Sequence, residues 1–203
     1  MGTLISIIFI LGLSPALAGG PKLRVGDVLL QPMRCYLCGL IEAHEDSPFA
    51  HMGVVVRGGP TPQIAESLGV VRVVSLESFL AKGDLSRAVV VRRPREDVGE
   101  DLDELLTPWL GASYDDDFRW DNLGPDGREA FYCSELVTKL LNLRLRTPVP
   151  TKIMNYDRNR SLWERYFGGP APDGLPGNSP GDFGRSPLFR NIGSYQGGVW
   201  SWN

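Results

Sequence analysis

The sequence predicts a mixed fold in which antiparallel strands form a sheet and a helix beginning at a cysteine packs on it. Three observations carry that expectation. Leu136, Val137, Leu140 and Leu141 recur at helical spacing within residues 131–145, which makes one helix face apolar. His51-Met52-Gly53-Val54-Val55-Val56 and Thr61-Pro62-Gln63-Ile64-Ala65-Glu66-Ser67 flank the turn Arg57-Gly58-Gly59-Pro60 and read as a β-hairpin. Short strand and helix patterns surround them, with no internal repeat and no second domain in the 203 residues.

From the start of the chain, residues 4–13 are an apolar run too short to span a bilayer, followed by Ser14-Pro15-Ala16-Leu17-Ala18. Ala16-x-Ala18 is a small-residue cleavage signal, so residues 1–18 read as a secretory signal peptide cut after Ala18, and the protein as secreted or periplasmic. No Lys or Arg precedes the run, which leaves an uncleaved anchor as the alternative. Arg24-Val25-Gly26-Asp27 reads as a turn into a strand at Val28-Leu29-Leu30-Gln31. A short helix over residues 37–43 stops at Ser47-Pro48. After the hairpin come a strand at residues 69–74, a helix over residues 76–82 with Ser75 as N-cap, and a strand at residues 88–92. Residues 97–110 read as an amphipathic helix with an acidic first turn. Tyr114-Asp115-Asp116-Asp117-Phe118 opens an acidic, aromatic loop, read as solvated rather than cation-binding. Thr147-Pro148-Val149-Pro150 ends the cysteine helix, and a turn or two of helix follows at residues 161–167. Residues 168–203 are rich in Gly, Pro, Ser and Asn and read as a poorly ordered tail, leaving residues 19–167 as the folded domain.

Net charge is −3, with 21 Lys and Arg against 24 Asp and Glu, which gives no electrostatic case for nucleic acid. The three cysteines divide unevenly. Cys35 and Cys38 form a C-x-x-C pair, expected to bond to each other in an oxidising compartment, and Cys133 is then a free thiol. A zinc site using His44 and His51 with that pair, or thioredoxin-like redox chemistry, are the competing readings.

Cys133 opens its helix, where unpaired N–H groups and the positive end of the macrodipole stabilise a thiolate. If Val56 and Thr61 close the hairpin turn, His51 lies directly opposite Glu66 on the same face. Cys133, His51 and Glu66 then supply a nucleophile, a base and a group that orients the base, provided the helix packs on that face. Each has a structural alternative. Cys133 can be a small core residue, His51 a core histidine, and Glu66 a partner for Arg57 or Arg72.

Three segments resemble the permuted papain-fold hydrolases related to NlpC/P60, the YiiX/YebB-like group. They are Gly26-Asp27-Val28-Leu29; Ala50-His51-Met52-Gly53-Val54-Val55 with Ala65-Glu66-Ser67; and Tyr114-Asp115 with Tyr132-Cys133-Ser134-Glu135-Leu136-Val137. The resemblance covers roughly residues 24–145. It implies an α+β, circularly permuted papain-like fold whose antiparallel sheet packs against the nucleophile helix. It also implies Cys133 as nucleophile, His51 as base and Glu66 as orienter. Tyr132 is a candidate oxyanion or substrate contact. No cofactor and no metal is implied. The function expected is a secreted thiol hydrolase of an amide bond, in cell-wall peptide or an N-acyl compound. The alternatives are a lipid or ester hydrolase or acyltransferase of the same fold, and a non-catalytic binding module. Partners are thus a small-molecule, peptide or lipid substrate, with no stable membrane span after signal cleavage.

Overall fold

The computed structural model describes residues 23–203; the expected signal peptide lies outside them. Seven strands form one antiparallel sheet: β1 (Val28–Gln31), β2 (His51–Arg57), β3 (Gln63–Leu68), β4 (Val70–Ser75), β5 (Val89–Pro94), β8 (Phe189–Gln196) and β9 (Val199–Trp202), in the order β4-β3-β2-β1-β5-β8-β9. The helices are α1 (Tyr36–Glu45), α2 (Leu76–Leu80), α3 (Leu102–Leu106), α4 (Cys133–Asn142), α5 (Arg160–Phe167) and α6 (Pro180–Arg185); β6 (Lys152–Ile153) and β7 (Pro176–Gly177) pair separately.

Alternation along the strands builds two apolar layers. Val28, Leu30, Met52, Val54, Val56 and Ala65 face α4 and α3 and form the larger core with Leu136, Val137, Leu140 and Leu141. Leu29, Val55, Ile64, Val89 and Val91 face the other way, onto Phe79 and Leu80 of α2 and the indoles of Trp200 and Trp202. Gly53 belongs to this second face, and a Cβ there would stand 2.6 Å from Ile64 Cγ2 and 2.9 Å from Phe79 Cε2. Only glycine admits so close an approach.

Gly26-Asp27 has a structural reason. Gly26 turns with φ +86 against Val98, and buried Asp27 takes Arg93 from β5 through Nε at 2.6 Å and a second guanidinium nitrogen at 2.7 Å. A bidentate, charge-assisted pair thus ties the first strand to its neighbour.

The helix expected over residues 97–110 is shorter: α3 begins at Leu102 and passes into a 3-10 turn at Thr107–Trp109. Gly99 sits at φ +73 upstream, and Pro108 lacks the N–H that α-helical continuation needs. The larger correction concerns residues 168–203. They are not a poorly ordered tail but supply β7, α6, β8 and β9. Strand β8 pairs with β5 from Val89↔Tyr195 to Pro94↔Phe189. The residues that looked like low complexity are caps and turns. Ser179 and Asp182 form a capping box with Pro180 in the first turn of α6, and Gly197-Gly198, both at positive φ, make the two-residue turn between β8 and β9.

Candidate active site

Helix α4 starts at Cys133 with Tyr132 as its N-cap, and its first turn is pinned from two sides. Ser67 on β3 donates to the Phe131 carbonyl at 2.6 Å, and Ser134 donates to the Asn178 carbonyl at 3.0 Å. Cys133 is buried and is the free cysteine; Cys35 and Cys38 are joined by a disulfide. His44 stacks on Tyr156 and His51 on Phe79.

His51 is the first residue of β2 and is buried against Phe79, with ring centres 5.6 Å apart. Its Nε2 lies 2.9 Å from Glu66 Oε2. Cys133 lies beside the same ring and acts on its titration. Burial disfavours a charged imidazole, but the hydrogen bonds and charges of Cys133 and Glu66 outweigh it and raise the His51 pKa to about 9. Burial likewise pushes Glu66 up. The His51 and Lys82 interactions overcome this and bring it down to about 2.

The hairpin register differs from expectation. Val54 pairs with Ala65, Val55 with Ile64 and, beyond a bulge, Arg57 with Gln63. Continued, this puts Gly53 opposite Glu66 and His51 opposite Leu68. The loop is longer than a closure at Val56 and Thr61 because Pro60 and Pro62 cannot donate to a ladder. The shift is by two residues, so His51 and Glu66 keep a common face and meet as diagonal neighbours. That face is not the one α4 packs on, again unlike the expectation. His51 begins β2 and Cys133 begins α4, so both side chains stand at the ends of their elements.

Of the groups that hold Glu66, sequence reasoning offered Arg72 as a candidate partner and did not find Lys82. Glu66 Oε1 accepts from Arg72 Nε at 2.9 Å and Lys82 Nζ at 2.6 Å. Arg72 pairs directly with Glu66 across β3 and β4, a relation readable from the turn at Gly69. Lys82 follows α2 and has no local signal.

Tyr132 is buried; its hydroxyl accepts weakly from the Asn178 N–H at 3.4 Å, and burial raises its pKa. It lines a cavity of about 40 Å³ with Cys133, His44, Tyr156, Trp163 and Asn178. A larger cleft of about 480 Å³, which shares Ala50 and Tyr114 with that cavity, is bordered by His51, Leu68 and the Cys35–Cys38 disulfide. Cys133 lines the first hollow and His51 the second. Asp115 of the acidic loop is buried and organises that loop by accepting from the N–H groups of Asp117 and Arg119 and from Asn122 Nδ2.

One group of carboxylates among the described residues is close enough to hold a metal: Asp121, Glu129 and Glu135, with oxygens within 4.8 Å of one another. Lys139 Nζ already bonds all three, at 2.6 Å to Asp121 and 2.8 Å to Glu135.

Comparison with known proteins gives the family. The profile of the permuted papain-like amidase enzymes, YaeF/YiiX, C92 family, matches residues 22–192. The chain belongs to that family. The uncharacterized protein YiiX of Escherichia coli (strain K12) is 28% identical over 163 residues, covering 75% of this chain and 76% of that protein. A crystal structure titled as metalloprotein YiiX from Escherichia coli superposes with a TM-score of 0.72 at 24% identity. It covers 89% of this chain and 99% of its own. That likeness concerns the fold: α+β and papain-like, with an antiparallel sheet against the helix that begins at Cys133.

Proposed function

We propose that the protein is a secreted thiol amidase that works through an acyl-enzyme on Cys133. The observation that carries this is the buried ring of His51, bonded to Glu66 and lying beside Cys133. The sulfur attacks the amide carbonyl carbon, forming an S–C bond while the carbonyl electrons move to oxygen. N–H groups of the first turn of α4, which have no partner within the helix, receive that oxyanion. His51 gives its proton to the departing amine as the C–N bond breaks. It then takes a proton from water, which cleaves the thioester and restores the thiol. Glu66, fixed by Arg72 and Lys82, holds the ring orientation and stabilises the imidazolium. Tyr132 is assigned as a contact to the acyl half of the substrate.

The structural neighbour is described as a metalloprotein, and the carboxylates around Lys139 are the group among the described residues close enough to hold an ion. They do not fit one as placed, because the Lys139 ammonium sits where the cation would bind. Export rests on the sequence of residues 1–18 alone; no helix among the described residues is long and apolar enough to cross a membrane.

The test is mass spectrometry of the protein quenched during turnover of an amide substrate. The acyl mass is expected on the peptide containing Cys133 and is expected to vanish in Cys133→Ala. Turnover that survives Cys133→Ala would refute the mechanism.

A further inference from the structure

The two hollows on either side of the reacting pair differ twelvefold in size, about 40 Å³ against about 480 Å³. They also divide the chemistry. The sulfur of Cys133, which keeps the acyl group, borders the small cavity. The ring of His51, which must protonate the amine, borders the large cleft. We infer that the small cavity is the acyl subsite and the cleft the amine subsite, so that the substrate is an amide joining a short, hydrogen-bonding acyl group to a bulky amine. The inference rests on the thiol-amidase reading and adds the identity of the two halves.

Size sets the first limit. About 10–15 Å³ of such space holds one water, so a cavity of about 40 Å³ admits roughly three heavy atoms beyond the carbonyl. The walls are side chains that cannot easily give way. Trp163 and Tyr156 stack edge to face with ring centres 5.1 Å apart, and His44 lies flat on Tyr156 at 5.4 Å. A fatty acyl chain has no room there.

Polarity sets the second. Seven buried side-chain polar atoms among the described residues have no partner, and four of them belong to this lining: His44 Nδ1, Tyr156 OH, Trp163 Nε1 and Asn178 Oδ1. Each buried group left unbonded disfavours the empty state, so an occupant that bonds to some of them gains over one that bonds to none. The set contains a pure donor, a pure acceptor and two groups that can serve as either. An α-amino or α-hydroxy substituent on a two- or three-carbon acyl group meets both limits. The cleft, bordered by Met33, Leu37, Leu68 and Pro125 as well as His51, takes an extended amine.

The experiment compares kcat/KM for glycyl, acetyl, butyryl and octanoyl amides of one fluorogenic aromatic amine, aminomethylcoumarin. The expected order is glycyl above acetyl above butyryl, with a loss of roughly tenfold for each step of misfit, and no turnover of octanoyl. Met154→Ala, which widens the small cavity, should move the optimum toward butyryl while leaving iodoacetamide alkylation of Cys133 unchanged. Octanoyl or butyryl amides turned over as well as glycyl would overturn the assignment of the two halves, as would an unmoved optimum in Met154→Ala. Acetyl matching glycyl would overturn the hydrogen-bonding requirement. No turnover of any member, with no acyl adduct on Cys133, would overturn the amidase reading itself.

Discussion

Two charge clusters, one on β3 at Glu66 and one on helix α4 at Lys139, are near mirror images. At Glu66 one carboxylate receives Arg72, Lys82 and His51. At Lys139 one ammonium receives Asp121, Glu129 and Glu135, under the faces of Trp120 and Phe131. Both compensate charge, but they differ in what is left over. The first ends in a titratable ring that touches the Cys133 thiol. The second closes on itself and touches no nucleophile. A perturbed buried ionisable group therefore marks chemistry only where its chain of contacts leads to a reacting atom.

The largest effect expected is at the reacting pair. Cys133→Ala and His51→Ala should each abolish amide turnover, whereas Lys139→Met should leave the fold's catalytic pair intact and keep activity in the protein that remains folded; steady-state kinetics on the three variants decides it. Glu66→Gln should come next, lowering kcat by about 10²–10⁴-fold through the unsupported imidazolium. Lys139→Met should instead cost about 3 kcal/mol of stability by leaving buried Glu135 without its cation, read by denaturant unfolding.

The pH dependence separates the clusters further. His51 is raised from 6.5 to about 9, so its contribution to stability is complete below pH 6.5 and is lost as pH rises through 9. Burial raises Glu135 from 4.5 to about 7 despite Lys139, so its contribution is complete below pH 4.5 and lost as pH rises through 7. Glu66 runs the other way: lowered from 4.5 to about 2, it contributes above pH 4.5 and fails as pH falls through 2. Unfolding followed from pH 4 to 10 should show two alkaline losses, the lower removed by Glu135→Gln and the upper by His51→Ala. The smallest effect is at the rim. Arg72 is about a third exposed, so Arg72→Met should cost under about 1 kcal/mol and change kcat only a few-fold, with Lys82 still holding Glu66.

What was legible in the sequence follows a physical line. Periodicity located α4 to within a few residues, and Ser75 announced the start of α2, because both signals are local. The common face of His51 and Glu66 survived an incorrect register because side chains alternate with period two and the error was an even number. Long-range partners left no such trace. Asn178 lies 44 residues from the Ser134 hydroxyl that its carbonyl accepts, and its neighbourhood reads as Gly and Pro. The composition of residues 168–203 misled because caps and turns use the same residues as disordered chain. Only the pairing of β8 with β5, across about a hundred residues, distinguishes them.

The central claim is that Cys133, His51 and Glu66 act as one unit, and the rate at which iodoacetamide alkylates Cys133 at pH 7 tests it most directly. In the intact protein Cys133 should react selectively and fast, with the rate falling by roughly tenfold or more in His51→Ala and less steeply in Glu66→Gln. Equal rates in all three folded proteins would contradict it.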